Sequence, residues 1–391
     1  MTKQSKIYGR ITRPTSIKFT SALAASMVLS LAACTSYNTQ SPQSPQSPQS
    51  PQSTASSSPR ALIKTATGQA PGDSFDLSHW KITLPIDENS DGMVDGVTTA
   101  DLQSFSHSDF FYLDEQGHMV FTSPNKGATT PNSKNTRSEL RYMSRGSDSS
   151  IDTHDPRNNF ALASHSNADE FASIGGKMEA TLHVDHAPRN AGRPDWHSSY
   201  AAVIGQIHAT KKPKGPGFGY GNEPLKIVYK KWPNHETGSV YWRYERNLER
   251  ENPDRKDISY SVWGNAHNNP SDPGAKGVAL GEDFSYTVNV YKDTMYLTFE
   301  SPRLGTVRHQ INLANNVDVN GRVDSKDSPI GYTQDSHYFK AGVYNQCRAA
   351  SKPSELRERC GGTGDWAVDK ANGDYAQVSF SRLVVSDADV Q

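Results

Sequence analysis

Short segments in which apolar and polar residues alternate recur along most of this chain. One covers residues 178–184, another covers 286–290, and the chain ends near the alternating run AQVSFSRLVVS. Alternation with a period of two, in segments rich in Tyr, Val, Thr and Trp, predicts antiparallel strands. Clusters of Gly, Pro, Asn and Asp separate these segments and predict turns. The pattern therefore favours an all-β protein built as a two-sheet sandwich or jelly roll.

The scarcity of helical signals and the net charge limit the fold classes and the functions that remain possible. Long amphipathic patterns are scarce, and the sequence predicts one short helix around Thr99–Phe105 with Thr98 or Thr99 as its N-cap. The 391 residues allow one large β domain or two ordinary ones, with room for a substantial core. The 41 basic and 42 acidic side chains leave a formal net charge of -1. Because nucleic-acid-binding proteins normally carry a strong basic excess, we expect no nucleic-acid partner.

The N-terminus is typical of a bacterial export signal. Residues 1–18 contain several basic side chains and no acidic one, and residues 19–33 are almost entirely apolar or small. The apolar part is short for a membrane-spanning helix, so it predicts a secretory signal. It ends in Leu31-Ala32-Ala33-Cys34, which resembles a bacterial lipobox and implies that Cys34 is lipidated. An ordinary cleaved signal beside an unmodified cysteine is the alternative.

The residues after Cys34 predict a location and a tether. Thr35 rather than an aspartate follows the cysteine, which by similarity to Gram-negative lipoproteins implies an outer-membrane lipoprotein facing the periplasm or the cell surface. Residues 41–53 read SPQSPQSPQSPQS, a repeat with nothing to bury and with prolines that keep it extended. The sequence thus predicts a spacer that holds the folded domain off a membrane, or alternatively a featureless disordered tail.

Three regions follow from these signals. Residues 1–33 are assigned to the lipoprotein signal peptide, 34–70 to the lipidated cysteine and the Ser/Pro/Gln-rich disordered linker, and 71–391 to the folded domain. Within that domain Cys347 and Cys360 flank a loop rich in Lys, Pro, Glu and Arg. Export to an oxidising compartment favours a disulfide between them, and two free thiols are the alternative.

Three segments place unusual polar groups on one face of a predicted strand. The segments are TRSELRY, VIGQIHA and YFKAGVYNQ. With side chains alternating between faces, the residues that share a face in each segment are Arg137, Glu139 and Arg141; Gln206 and His208; and Tyr338, Lys340, Gly342, Tyr344 and Gln346. Phe339, Ala341 and Val343 point the other way, toward the core. If the three strands are neighbours, they form a cationic floor that also carries an imidazole and a phenol.

Such a floor suits a polyanionic polysaccharide of uronic acids. A 4-linked uronate is cleaved by β-elimination when the proton at C5, α to the carboxylate, is removed and O4 departs. The enzyme must neutralise the carboxylate, take the C5 proton and protonate O4. Arginine and amide groups suit the first task, and histidine and tyrosine suit the other two. This scheme requires no metal and no cofactor.

The motifs RSELR, QIH and YFKAGVYNQ, in that order, resemble the signature strands of the polysaccharide lyase family 7 alginate lyases. The resemblance covers most of residues 75–391 and implies a concanavalin A-like jelly-roll sandwich with alginate lying across a concave sheet. It implies that Arg137 and Gln206 neutralise the substrate carboxylate, that His208 is the base and that Tyr344 is the acid. Substrate-binding positions are implied for the remaining motif residues, Glu139, Arg141 and Lys340.

The resemblance also implies a substrate preference. Family members with isoleucine in QIH are associated with guluronate-containing blocks. In guluronate the C5 proton and O4 lie on opposite sides of the ring, so His208 takes the proton while Tyr344 donates one. In mannuronate they lie on the same side, so Tyr344 serves as both base and acid.

For the oligomeric state, we expect a monomer.

Alternatives remain at this stage. A glycoside hydrolase would need two carboxylates flanking the bond, and the motifs contain only Glu139. A non-catalytic polyuronate-binding sandwich is the other functional alternative. Each motif residue also has a structural reading, such as a surface ion-pair ladder for Arg137, Glu139 and Arg141. Separately, DENSDGMVD places Asp87–Asp95 at calcium-loop spacing. A solvated Asx-rich turn is the favoured interpretation and a calcium site the alternative, because Thr98 stands where a bidentate glutamate is needed.

Overall fold

A computed structural model describes residues 69–211, 218–355 and 357–391 of the protein. The predicted signal peptide, Cys34 and the linker up to residue 68 lie outside the described residues. Within the described ranges no helix is long and apolar enough to cross a membrane.

Strands dominate the described part of the chain. The first nine are β1 (Trp80–Thr83), β2 (Gly96–Val97), β3 (Phe111–Leu113), β4 (Met119–Pro124), β5 (Arg137–Tyr142), β6 (Phe160–Ala161), β7 (Ser173–Ile174), β8 (Gly176–His186) and β9 (Ala201–Ala209). They are followed by β10 (Leu225–Lys230), β11 (Thr237–Glu245), β12 (Asp257–Trp263), β13 (Val278–Ala279), β14 (Phe284–Tyr291), β15 (Thr294–Ser301), β16 (Gly305–Asn312), β17 (His337–Asn345) and β18 (Tyr375–Ser386). Short 3-10 helices are found at Pro71–Asp73, Pro156–Asn158, Ala168–Glu170, Gly274–Lys276 and Pro353–Glu355.

The strands form two sheets that enclose one core. The larger sheet has the order β12-β11-β10-β9-β17-β5-β1-β2, and the smaller has the order β16-β15-β14-β8-β18-β4-β3. Along these two paths every pairing is antiparallel. The prediction of a two-sheet jelly-roll sandwich is therefore confirmed.

Period-two burial explains why the sheets pack face to face. Burial alternates at every position along Gly176–His186, as its sequence predicts. Tyr286 on the smaller sheet is buried, and its hydroxyl donates to the carbonyl of Ile204 on the larger sheet at 3.0 Å. Trp263 of the larger sheet meets Phe284 of the smaller one edge to face, with ring centroids 5.9 Å apart. Apolar inner faces thus stabilise the sandwich, and the polar positions are left on its outer faces.

Two α-helices lie beside the sheets in the described residues. The first, α1 (Thr99–Leu102), is shorter than predicted, and the Thr98 side chain caps it by accepting from the backbone N–H of Asp101. The second, α2 (Trp366–Asn372), was not predicted. The sequence does contain the boundary signals of this helix. Asp365 caps its N-terminus, and a glycine with positive φ follows its last residue.

The loop predictions can be compared with the structure directly. Cys347 and Cys360 form the expected disulfide, with Cα atoms 5.4 Å apart. In the Asp87–Asp95 loop, the Asp87 carboxylate accepts from the backbone N–H groups of Asp91 and Gly92 at 3.1 and 3.0 Å. This is the Asx-rich turn. Among residues 69–211, 218–355 and 357–391, no group of three or more His, Cys, Asp or Glu side chains is arranged to hold a metal ion.

A histidine on the outer face of the smaller sheet makes stability depend on pH. His183 lies between Asp185, 3.1 Å from Nε2, and Asp283, 2.9 Å from Nδ1. The hydrogen bond to Asp185, opposed by burial and helped by Asp283, raises the pKa of His183 to about 9. Its stabilising effect is therefore complete below the ordinary pKa of about 6.5 and is lost as the pH rises through 9.

We expect His183→Gln to lower the melting temperature most near pH 6 and to match the wild type near pH 10. At this partly exposed position, screening limits the effect to about 1 kcal/mol, or about 2 °C for a domain of this size. Thermal unfolding from pH 6 to 10 measures it, with the loop variant His154→Gln as control. A His183→Gln deficit that is constant over this range would contradict the prediction.

Candidate active site

The three polar strands are neighbours in the larger sheet, which is the condition that a common cationic floor requires. β17 lies between β5 and β9. Tyr344 is opposite Arg137, and Lys340 is opposite both Arg141 on β5 and Gln206 on β9. This register places the polar sets of all three strands on the same face of the sheet.

A bulge in β17 alters the direction of its last residues. The pairing between β17 and β9 shifts register between Ala341 and Tyr344. Gly342 lies in the shifted segment with φ 125°, and a Cβ at this position would come within 2.6 Å of the carbonyl oxygen of Ser138. Only glycine fits here, and bulges of this kind turn side chains toward a site. Val343 remains fully buried in the core, whereas Tyr344 reaches the polar face.

A groove of about 470 Å³ lies over these strands. The motif residues that line it are Arg137, Glu139, Arg141, His208, Lys340 and Tyr344. Of the predicted catalytic residues Gln206 alone is outside this lining, and it is completely buried. The groove lining also includes residues for which the sequence predicted no function: Lys81, Lys211, Tyr220, Glu223, Arg250, Arg255 and Tyr338.

Glu139 is the centre of a buried ionic network. Arg137 Nη1 donates to its Oε2 at 2.9 Å, and Lys340 Nζ and Gln206 Nε2 also donate to its carboxylate. Burial opposes ionisation of Glu139, but the charges of Lys340 and Arg137 outweigh it and lower the pKa. The carboxylate is therefore ionised, fully engaged, and unsuited to donate a proton as the acid of a hydrolase.

The floor of the groove remains cationic at neutral pH. Burial lowers the pKa of Lys81 and of Lys340 to about 8 in each case, and that of Arg141 to about 10. All three values lie above 7, so these groups are mostly charged. The Arg141 guanidinium also lies 3.9 Å from the centre of the Tyr338 ring, which fixes its orientation. A polyanion would meet several preorganised positive charges here.

His208 is arranged as a neutral base. Its ring stacks on Tyr338, with centroids 5.3 Å apart. Nδ1 lies 2.6 Å from the carbonyl oxygen of Ala209. Burial is the main cause that lowers the pKa of His208 to about 4. The imidazole is therefore uncharged near pH 7 and able to accept a proton.

Tyr344 is held by a hydroxyl and a cation. Its phenolic oxygen lies 3.1 Å from Ser133 Oγ. The Arg137 guanidinium carbon lies 4.0 Å from the centre of its ring. A cation in this position would stabilise negative charge that develops on the phenol when it gives up its proton.

Two loops touch each other across the groove. β5 and β9 are both antiparallel to β17, so they run in the same direction. Asn132 precedes β5 whereas Lys211 follows β9, so the two residues come from opposite ends of the strands. Lys211 Nζ nevertheless donates to Asn132 Oδ1 at 2.9 Å. The contact therefore spans the groove from one wall to the other.

The sandwich is similar to known proteins over nearly its whole length. A family model described as alginate lyase matches residues 75–387. A curated alginate lyase from Klebsiella pneumoniae is 35% identical over 330 residues, which cover 80% of this chain and 90% of that protein. A solved alginate lyase structure from Klebsiella pneumoniae has 32% identity and a TM-score of 0.63, with coverage of 82% of this chain and 99% of that chain. An exolytic family 7 alginate lyase from Zobellia galactanivorans has 30% identity and a TM-score of 0.63, with coverage of 83% and 99%.

Proposed function

This chain belongs to the alginate lyase family, and on that premise we propose that His208 and Tyr344 transfer its protons and that its substrates include guluronate-containing blocks. The enzyme cleaves 4-linked uronate bonds of alginate by β-elimination, which leaves a 4,5-unsaturated sugar at the new non-reducing end. The observation that carries the assignment is one groove in which fixed cations surround an uncharged imidazole and a phenol.

Arg137 and Lys340 are assigned to charge neutralisation. When the C5 proton leaves, negative charge spreads onto the uronate carboxylate, and nearby fixed cations stabilise that state more than the ground state. Glu139 holds both cations in place by direct ion pairs. The expected contact between Gln206 and the uronate carboxylate of the substrate stays a prediction. In this structure Gln206 Nε2 donates to Glu139 instead.

His208 and Tyr344 are assigned to opposite sides of a guluronate ring. His208 takes the C5 proton, the electron pair forms the C4=C5 bond, and O4 departs with the proton from Tyr344. In mannuronate the two bonds lie on the same side, so Tyr344 performs both transfers. Ile207 lies beside His208 and is completely buried in the core, so any influence on block preference acts through the position of its neighbours.

We expect the lipid-free protein, starting near residue 71, to raise ultraviolet absorbance when mixed with alginate and with its guluronate-rich blocks. The conjugated C4=C5 double bond absorbs, whereas products of hydrolysis do not. Rates on guluronate-rich and mannuronate-rich blocks, measured at equal uronate concentration, give the preference. Cleavage confined to mannuronate-rich blocks would overturn the proposed substrate range, and new reducing ends without absorbance would overturn the proposed catalytic roles.

We also propose that Cys34 anchors the enzyme to the outer membrane as a monomer, with the linker as a spacer. The support is the lipobox-like segment before Cys34 and the Ser-Pro-Gln repeat after it.

We expect Cys34→Ser to abolish incorporation of labelled palmitate and to remove the enzyme from the outer-membrane fraction. Loss of the acyl chains removes most of the membrane affinity. The matched control is Thr35→Ser, which keeps the cysteine. Unchanged labelling in Cys34→Ser would contradict the anchor. Light scattering of the lipid-free protein tests the monomer.

A further inference from the structure

Glu223 lies directly beside the assigned base. It belongs to the segment between β9 and β10 and lines the groove. Its Oε1 is 3.5 Å from His208 Nε2. The side chains of His208 and Glu223 are 21% and 19% exposed, so they reach the groove but are largely shielded from solvent. At this depth an anion has a strong effect on an adjacent imidazole.

An ion pair with Lys226 holds the carboxylate of Glu223 in place. Its Oε2 lies 2.9 Å from Lys226 Nζ, which in turn lies 2.7 Å from Asp257. The backbone N–H of Glu223 donates to Glu245 at 3.0 Å. Burial opposes ionisation, but the effect of neighbouring groups, the charge of Lys226 above all, outweighs it and lowers the pKa of Glu223. Glu223 therefore presents a fixed negative charge to His208.

The contacts of His208 show which ring nitrogen accepts the substrate proton. The carbonyl of Ala209 can only accept a hydrogen bond, so Nδ1, which lies 2.6 Å from it, carries the hydrogen of the neutral ring. The lone pair is then on Nε2, the nitrogen that lies closest to Glu223. A proton taken from substrate therefore arrives beside the carboxylate.

We propose that Glu223 is a positioning residue that stabilises the imidazolium of His208 during cleavage of guluronate-containing alginate. The inference rests on the proposed role of His208 as base. In the step, the C5–H bond breaks, the proton goes to Nε2, the electron pair forms C4=C5, and the C4–O4 bond breaks as O4 takes the proton of Tyr344. Exchange of one proton through water then returns His208 and Tyr344 to their starting states.

The other described groups around His208 do not serve this purpose. Lys340 and Arg137 are cations and oppose a charged imidazole, and the buried His337 on β17 also lies close enough to interact. Tyr338 stacks on the ring and contributes no opposite charge. Among the groups that the structure describes as acting on His208, Glu223 supplies the compensating negative charge. Its removal would leave the imidazolium among cations.

We expect Glu223→Gln in the full-length enzyme to lower kcat on guluronate-rich blocks by about tenfold or more, with KM changed less than about twofold. On mannuronate-rich blocks, where Tyr344 takes the proton, we expect a change of less than about threefold. This difference between block types also serves as the folding check, because a misfolded variant would lose both activities. Glu179→Gln on the smaller sheet, where Glu179 pairs with Arg382, is the matched control.

A double-mutant cycle separates positioning from a general structural effect. In the His208→Asn background, Glu223→Gln is expected to cause no further loss on guluronate-rich blocks, since the group it acts through is absent. Glu223→Asp, which keeps the charge, is expected to recover part of kcat. If His208→Asn alone keeps wild-type guluronate cleavage, the proposed base is wrong. If His208→Asn is inactive on these blocks but Glu223→Gln has wild-type kcat, or slows both block types equally, the role of Glu223 is wrong.

Discussion

Replacing Tyr344 with phenylalanine is expected to lower kcat by about a thousandfold on both guluronate-rich and mannuronate-rich blocks. Loss of one positioned proton-transfer group costs typically 10²–10⁴-fold, and on mannuronate the same phenol performs two transfers. The phenylalanine ring keeps the contact with the Arg137 guanidinium, which lies 4.0 Å from the tyrosine ring centre. Binding of alginate should therefore change much less than turnover.

The measurement combines initial rates from ultraviolet absorbance with calorimetric titration of alginate oligomers. Ser133 loses one hydrogen-bond partner in Tyr344→Phe, so we expect a stability loss of about 1 kcal/mol or less. Tyr296→Phe, on β15 of the opposite sheet, is the control for removing a phenolic hydroxyl. Turnover within tenfold of wild type on mannuronate-rich blocks would show that another group transfers the protons.

The strands and the face of each site residue were predictable because both depend on a period of two. Arg137, Glu139 and Arg141 occupy alternate positions of one strand, and the structure places them on the same face. Adjacency of the three polar strands was a condition of the predicted cationic floor, suggested by their chemistry rather than by periodicity. Separate exposed strands would have had no common reason to carry a Gln-His pair and a Lys-Tyr pair.

Depth below the surface was not predictable from alternation. Glu139 and Gln206 face the groove side, yet both are almost fully buried and bonded to each other. Alternation indicates which face of a sheet a side chain occupies. It does not tell whether longer neighbours such as Arg137 and Lys340 will cover that side chain. Which residues of one motif line the groove and which lie covered beneath it is therefore known only from the three-dimensional structure.

Residues from irregular segments were also beyond sequence reasoning. Glu223 follows a loop and belongs to no periodic pattern, and its position beside His208 depends on the antiparallel pairing of β9 with β10. The contact between Lys211 and Asn132 depends on two loops that are distant in sequence. Lys81 is different, because its strand WKIT does alternate, but the pairing of Lys81 with Arg141 needed the sheet order.

Substitution of His208 should lower kcat much more on guluronate-rich than on mannuronate-rich blocks, whereas substitution of Tyr344 should lower it on both. We expect His208→Asn to lower kcat on guluronate-rich blocks by about 10²–10⁴-fold, and on mannuronate-rich blocks by about tenfold or less. In guluronate the C5 proton and O4 are on opposite sides, so the phenol that serves O4 cannot reach the proton. Asparagine is chosen because it fills part of the space against Tyr338, on which the imidazole stacks, but cannot act as a base near neutral pH.

The pH dependence of the wild type provides a second measurement of the same assignment. Because burial lowers the pKa of His208 to about 4, the imidazole is already uncharged at pH 6, and guluronate cleavage should not lose its base between pH 8 and about pH 5. His118→Asn, at the edge of the opposite sheet beside His183, is the control for removing an imidazole. Equal losses on both block types in His208→Asn would mean that His208 supports the groove as a whole. A selective loss would mean that the imidazole acts on the side of the sugar ring that Tyr344 cannot reach, and the two substitutions together would then assign the two proton transfers separately.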